Sequence, residues 1–134
     1  MENKNILVIE DNTRNMKLVR SLLQRSPYKI LEAIDAESGI RLAREHRPGL
    51  ILMDIQLPGM DGLSATRVIK EDPGLQKIPV VALTAYAMEG DVEKAMEAGF
   101  NGYISKPFDI HGFIDTINKL FQDGHERESL TKKM

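Results

Sequence analysis

Four short apolar stretches each run directly into side chains that can act together. Ile6 to Ile9 leads into Glu10 and Asp11, Leu50 to Met53 into Asp54, and Pro79 to Leu83 into Thr84. A weaker stretch, Gly102 to Ser105, leads into Lys106 and Pro107. If these ends converge, three carboxylates repel one another. At a separation of ~5 Å and an effective dielectric of ~20, each pair costs roughly 3 kcal/mol. Magnesium suits such a cluster, because it takes oxygen ligands, needs few protein carboxylates and keeps positions open for water or phosphate oxygens. Lys106 supplies a second positive charge. With that charge in place, a carboxylate can attack phosphorus and form an aspartyl phosphate. Asp54 is the candidate nucleophile, since it closes the central apolar strand Leu50 to Met53 and is rigidly held there, whereas the consecutive Glu10 and Asp11 can grip the metal from one side. The Thr84 hydroxyl would donate a hydrogen bond to a phosphoryl oxygen. Its movement would open space for Tyr103 to rotate from an exposed to a buried rotamer, so that surface shape reports phosphorylation. A cis bond before Pro107 would bend the chain and aim Lys106 inward; the residues alone do not fix that isomer.

Continuous rather than alternating apolarity in Ile6 to Ile9, Leu50 to Met53 and Pro79 to Leu83 predicts strands buried on both faces. Lys29 to Ala33 and Gly102 to Ser105 are weaker strands. Between them lie helical spacings: Met16, Val19, Leu22 and Leu23; Ile40 and Ala43; Ala65, Val68 and Ile69; Val92, Ala95 and Met96; and Ile114, Ile117, Leu120 and Phe121. Asn12 and Asp35 stand where N-caps belong, and Gly99 stands where a helix would end. Pro27, Pro48, Pro58, Pro73 and Pro79 all fall between elements. Strand and helix alternating five times, with short connections, give an α/β doubly wound parallel sheet covered by helices on both faces. Ligands of such folds collect at the carboxyl ends of the strands, where the residues above are found.

The chain of 134 residues fits one domain, and its 18 basic and 20 acidic side chains nearly cancel, so no field points to nucleic acid or a membrane surface. With no cysteine, disulfides and thiolate metal sites are excluded. No apolar run is long enough to span a bilayer and no signal-peptide pattern opens the chain, so a cytoplasmic location is expected. His46, His111 and His125 are not spaced as metal ligands and are assigned to structure or solvent. Residues 123–134 are polar and lack apolar spacing, which makes them a tail or the start of a linker.

Each residue has an ordinary reading when taken alone: Asp54 as a helix cap, Glu10-Asp11 as a helix start, Lys106 as a surface charge, Thr84 as a strand residue. Together they are poorly explained by chance. The fifth helix carries Ile110, Phe113, Ile114, Ile117, Leu120 and Phe121, which is either a deeply buried helix or one that leaves Phe113 or a neighbour exposed with Ala87, Met88 and Tyr103 on a partner face. Aspartyl-phosphate phosphohydrolases would need a second acid two residues past the nucleophile, where Gln56 stands and cannot transfer protons. A flavin or nucleotide site would need a phosphate-cradling loop where Glu10-Asp11 instead repels phosphate. A binding module that works without phosphorylation would not need Asp54, Thr84 and Lys106 together.

Ile9-Glu10-Asp11-Asn12, Leu52 through Gly62 (LMDIQLPGMDG), Leu83-Thr84-Ala85 and Ser105-Lys106-Pro107, in this order, resemble the response-regulator receiver family of the CheY-like superfamily, over residues 4–122. The Asn12 and Asn15 region and Met53 to Pro58 resemble the single-domain DivK-like regulators and the receivers of hybrid histidine kinases. The resemblance implies a flavodoxin-like fold with five helices and strand order 2-1-3-4-5. It implies Mg2+ held by Glu10, Asp11, Asp54 and the backbone carbonyl of Gln56, with Asp54 taking its phosphoryl group from a histidine. Thr84, Ala85 and Lys106 would bind that group and Tyr103 would be the switch aromatic, while Gln56 and Tyr86 would flank the group and tune the approach of water. The implied partners are a histidine kinase or histidine phosphotransfer protein, then a downstream protein on the face of helix 4, strand 5 and helix 5, with a homodimer left open. No nucleic-acid or membrane partner is implied. Such a domain assists its own phosphorylation and dephosphorylation without being an enzyme in the usual sense.

Overall fold

The computed structural model describes residues 4–24, 26–84, 89–106 and 111–121. Ala85, Tyr86, Ala87, Met88, Pro107 with its preceding peptide bond, Ile110, His125 and the 123–134 tail lie outside the described residues. In chain order the elements are β1 (Asn5–Ile9), α1 (Thr13–Leu23), β2 (Lys29–Ala33), α2 (Ala36–His46), β3 (Leu50–Asp54), α3 (Gly62–Glu71), β4 (Val80–Thr84), α4 (Glu89–Ala98) and β5 (Gly102–Ser105). A fifth helix, α5, covers 111–121. All strand pairs are parallel, in the order β2-β1-β3-β4-β5.

This order explains the uneven apolarity of the strands. The three central strands are buried along almost their whole length, whereas β2 and β5 form the sheet edges and each has a single buried residue. Successive strand side chains point to opposite faces, so the continuous apolar runs feed two cores. Leu7, Ile9, Ile51, Met53, Val80 and Ala82 pack toward α2, α3 and α4 with Ile40, Ala43, Ala65, Ile69 and Ala95. Ile6, Val8, Leu50, Leu52, Val81 and Leu83 pack toward α1 and α5 with Met16, Val19, Leu23, Phe113 and Ile117. The expectation of sheet faces covered on both sides is met. Phe113 is 1% exposed, which places it in the core and removes it from the expected partner face; among the described residues, the exposed large apolar side chains nearest that face are Tyr103 and Met96.

Local chemistry sets the boundaries of the helices. Asn12 accepts from the backbone N–H of Asn15 and Asp35 from that of Ser38, satisfying donors that a helix start leaves unpaired. Asp61 does the same for α3 by accepting from Ser64, a cap missed in the sequence. Gly99 adopts φ +109°, a backbone conformation that stops α4 without a Cβ penalty. On the far side of α3 the Lys70 ammonium donates to the Ile78 carbonyl at 2.8 Å and to Asn101 Oδ1 at 2.9 Å. The same Asn101 oxygen accepts from the Val80 N–H, so one lysine joins α3 to the chain on either side of α4.

Thr66 is fully buried in α3, and its hydroxyl has no hydrogen-bond partner among the described residues. Removing a buried unpaired hydroxyl while keeping the branched shape relieves a desolvation cost. Thr66→Val should therefore match or exceed the wild type in urea denaturation, by up to about 1 kcal/mol. A loss of stability would show that the hydroxyl is bonded in solution.

Candidate functional site

The strand register brings the chemistry together. Ile9 pairs with Met53, so the next residues, Glu10 and Asp54, leave adjacent strands side by side. The Glu10 N–H donates to the Ala33 carbonyl at 3.0 Å, which extends the ladder toward β2 and fixes the Glu10 backbone. On the other flank Asp54 pairs with Leu83, and Thr84 with Ser105. The Lys106 N–H then donates to the Thr84 carbonyl at 2.7 Å, carrying the β4–β5 ladder one step further and delivering Lys106 to the site.

Glu10 and Asp54 are buried, Asp11 is exposed, and one carboxylate oxygen from each lies within 4.8 Å of the others. Lys106 Nζ stands 3.0 Å from Glu10 Oε1 and 3.4 Å from Asp54 Oδ2. The other Asp54 oxygen, Oδ1, accepts from the Gln56 N–H at 2.9 Å. Asp54 is thus held by β3 beneath it, by its own loop on one oxygen and by Lys106 on the other. Among the described residues, one cation against three carboxylates is an incomplete balance. Burial, followed by the neighbouring Asp54 carboxylate, pushes the Glu10 carboxyl up to about 7, while Lys106 pulls it down.

Glu10 Oε2 is buried without a hydrogen-bond partner among the described residues. An orphaned carboxylate oxygen, two further carboxylates and an all-oxygen donor set fit a hard divalent cation of the magnesium type. Asp11, the exposed member, leaves the cation side of the cluster open to water and phosphate oxygens.

Thr84 lies on β4 beside Asp54 and is 7% exposed. Tyr103 is 44% exposed on β5. In the parallel register Ala82 faces Tyr103 and Thr84 faces Ser105, so Thr84 and Tyr103 share one face of the sheet on adjacent strands. Gln56 is exposed just past the end of β3, and the site contributions expected of Ala85 and Tyr86 lie outside the described residues. His46 and His111 are both exposed; His46 stands 3.8 Å from Glu45. Two features had no clear signal in the sequence. Lys106 reaches Glu10 more closely than Asp54, and α3 begins against the backbone of Asp54 itself. A cleft of about 180 Å³ also opens beside the cluster between Glu10, Asp11, Thr13, Lys17 and Ile34. Its outer wall is the two-pronged contact of Arg20 with Glu32, at 2.8 and 2.6 Å.

A doubly wound parallel sheet of order 2-1-3-4-5, with an acidic cluster and a lysine at the carboxyl ends of its strands, defines a CheY-like α/β domain. The family model for the response regulator receiver domain matches residues 6–118, and the chain belongs to that family, whose members work in two-component signalling. It is 47% identical over 120 residues to the polar-differentiation response regulator DivK of Brucella anthropi, an alignment covering 90% of this chain and 98% of that protein. Among solved structures, the receiver domain of a sensor histidine kinase from Pseudomonas aeruginosa, with a magnesium ion coordinated in its active-site cleft, is 34% identical. That match has a TM-score of 0.83 and covers 90% of this chain and 98% of the other. The chemotaxis protein CheY4 of Vibrio cholerae, 20% identical with a TM-score of 0.83 over 88% of this chain and 98% of its own, shows the same fold. No described helix is long and apolar enough to cross a membrane.

The raised Glu10 carboxyl makes a signed prediction. Glu10 protonates more readily in the folded chain than in the unfolded one, so its stabilising contribution is full below pH 4.5 and is lost as pH rises to about 7. In metal-free buffer the thermal midpoint of the wild type should fall relative to that of Glu10→Gln across this window, by on the order of 5 °C. Parallel profiles for the two proteins would show that Glu10 titrates normally.

Proposed function

We propose that this receiver accepts one phosphoryl group on Asp54 from a phosphohistidine donor and thereby changes its affinity for a protein partner. The observation that carries the reading is the convergence of buried Asp54 with Glu10, Asp11 and Lys106 at the ends of β1, β3 and β5. In the transfer step a carboxylate oxygen of Asp54 forms a bond to phosphorus as the phosphorus–nitrogen bond of the donor breaks. The electron pair of that bond stays with the imidazole, which takes up a proton. Mg2+, held by Glu10, Asp11, Asp54 and the Gln56 carbonyl, would supply positive charge to the phosphoryl oxygens. Lys106 neutralises a further oxygen, and the Thr84 hydroxyl and the Ala85 N–H donate to others. In hydrolysis of the product, Gln56 and Tyr86 govern the approach of water, which makes the domain an assistant in its own phosphorylation and dephosphorylation.

The output in this reading is a change of surface. Thr84 bonds the phosphoryl group only when it is present, and the space it vacates admits Tyr103, whose half-exposed position suits the unphosphorylated state. The face of α4, β5 and α5 would then engage a downstream protein or a second copy of the chain, after phosphoryl transfer from a histidine kinase or histidine phosphotransfer protein. Residues 4–122 form the receiver domain, residues 123–134 a polar tail or linker start, and the protein works in the cytoplasm.

Intact mass after incubation with acetyl phosphate or beryllofluoride tests this. The wild type should gain one adduct only when magnesium is present, and Asp54→Asn should gain none. An adduct of equal yield on Asp54→Asn would move the acceptor to another residue.

A further inference from the structure

A receiver of this kind needs its acceptor carboxylate and the adjacent metal-binding carbonyl held to within about half an ångström. The rigid end of β3 fixes only one side of that segment, because the chain leaves the sheet at Asp54 and turns through residues 55–61 before α3 begins. Two hydrogen bonds clamp the turn from opposite directions. The Ile55 N–H donates to the Leu83 carbonyl on β4 at 3.3 Å, and the Ile55 carbonyl accepts from the Gly62 N–H at the start of α3 at 2.9 Å. The next N–H along, that of Gln56, donates to Asp54 Oδ1. The orientation of the acceptor therefore depends on how closely α3 presses against the peptide between Asp54 and Ile55.

Gly62 decides how close that is. A Cβ built on Gly62 would stand 2.4 Å from the Asp54 carbonyl oxygen and 2.8 Å from Ile55 Cα, both of them backbone atoms that cannot turn aside. By contrast, a Cβ on Gly59 meets nothing within 4 Å, and one on Gly99 meets chiefly the flexible side chain of Lys70, at 2.8 Å. Gly62 is also wholly in the helical region and buried, so its lack of a side chain serves contact rather than an unusual φ.

We infer that Gly62 is a positioning residue for phosphoryl transfer: its bare Cα lets the first turn of α3 seat directly on the Asp54–Ile55 peptide and so aims the acceptor carboxylate and the Gln56 backbone. This rests on Asp54 being the acceptor. Any side chain at position 62 forces α3 back or the Asp54–Gln56 segment forward by roughly half an ångström or more, the scale at which aligned groups lose rate. Gly99→Ala is the natural comparison, since it is strained by its positive φ and its clash with Lys70 yet lies away from the acceptor.

The test measures phosphorylation of the full chain by phosphoramidate with magnesium, thermal midpoint, and the amide spectrum of the metal-free protein, for wild type, Gly62→Ala, Gly99→Ala and Asp61→Ala. Gly62→Ala should be phosphorylated at least about tenfold more slowly than wild type, with metal-free amide shifts concentrated at Ile55 and Gln56. Gly99→Ala should lose comparable stability and keep the wild-type rate. Asp61→Ala adds no atom to the contact but removes the cap that holds the first turn of α3, so it should show a smaller slowing with the same amide shifts. It carries the test if Gly62→Ala does not fold. Wild-type rates in Gly62→Ala, slowing in Gly99→Ala in proportion to its lost stability, or an unmoved Gln56 amide in Asp61→Ala would each overturn the inference. No phosphorylation of the wild type would instead overturn the assignment of Asp54 and the inference with it.

Discussion

Three carboxylates gathered at one end of a parallel sheet set the constraint that the rest of the structure answers. Two of them, Glu10 and Asp54, are almost completely removed from water, and close like charges in such a place demand compensation. Lys106 provides part of it by reaching both, at 3.0 and 3.4 Å. Burial still lifts the Glu10 carboxyl, and one of its oxygens has no hydrogen-bond partner among the described residues. Such a cluster opposes folding and is kept only if the sheet is strong enough to hold it. The double core, with apolar side chains on both faces of β1, β3 and β4, supplies that strength directly beneath the acidic residues.

The same sheet links the site to the surface. In the proposed reading, a phosphoryl group at Asp54 would offer contacts to Thr84 and Lys106 that the unmodified chain lacks, and only such a difference can shift a conformational equilibrium. Both residues stand on or just past the β4–β5 pair, whose register also places Tyr103 on the face that Thr84 shares. On that reading the route from Asp54 to the surface is two adjacent strands wide. In the proposed reading a small movement at Thr84 is enough to change what β5 and α4 present, since Tyr103 and Met96 are already half-exposed there.

The sequence was most legible where one physical rule acts alone. The central strands were plain because burial on both faces demands unbroken apolarity, and the edge strands β2 and β5 were weaker because only part of each is covered. Asn12 and Asp35 were readable as caps because their bonds reach only three residues ahead. The identities of Glu10, Asp11, Asp54 and Lys106 were readable because strand ends converge in this fold class. What stayed hidden depended on distant contacts. The closeness of Lys106 to Glu10 spans 96 positions, and the seat of Gly62 on the Asp54 backbone is a matter of how α3 docks. Phe113 illustrates the same limit: helical spacing put it on the apolar side of α5, but only packing against β4 and β5 residues such as Leu83 and Ile104 decides that it is core rather than surface. Leu75, fully buried in the turn between α3 and β4, had no periodic neighbours to mark it.

The central claim is that the acidic cluster is an unfinished charge balance which a divalent cation completes. Calorimetric titration of magnesium into the wild type and into Asp11→Asn addresses it most directly, because Asp11 is the exposed member of the cluster and its loss leaves the buried pair in place. The account predicts one ion per wild-type chain and binding at least about tenfold weaker in the variant. No saturable binding to the wild type, or equal binding by both proteins, would mean that Lys106 alone balances the cluster and that the site is not built around a metal ion.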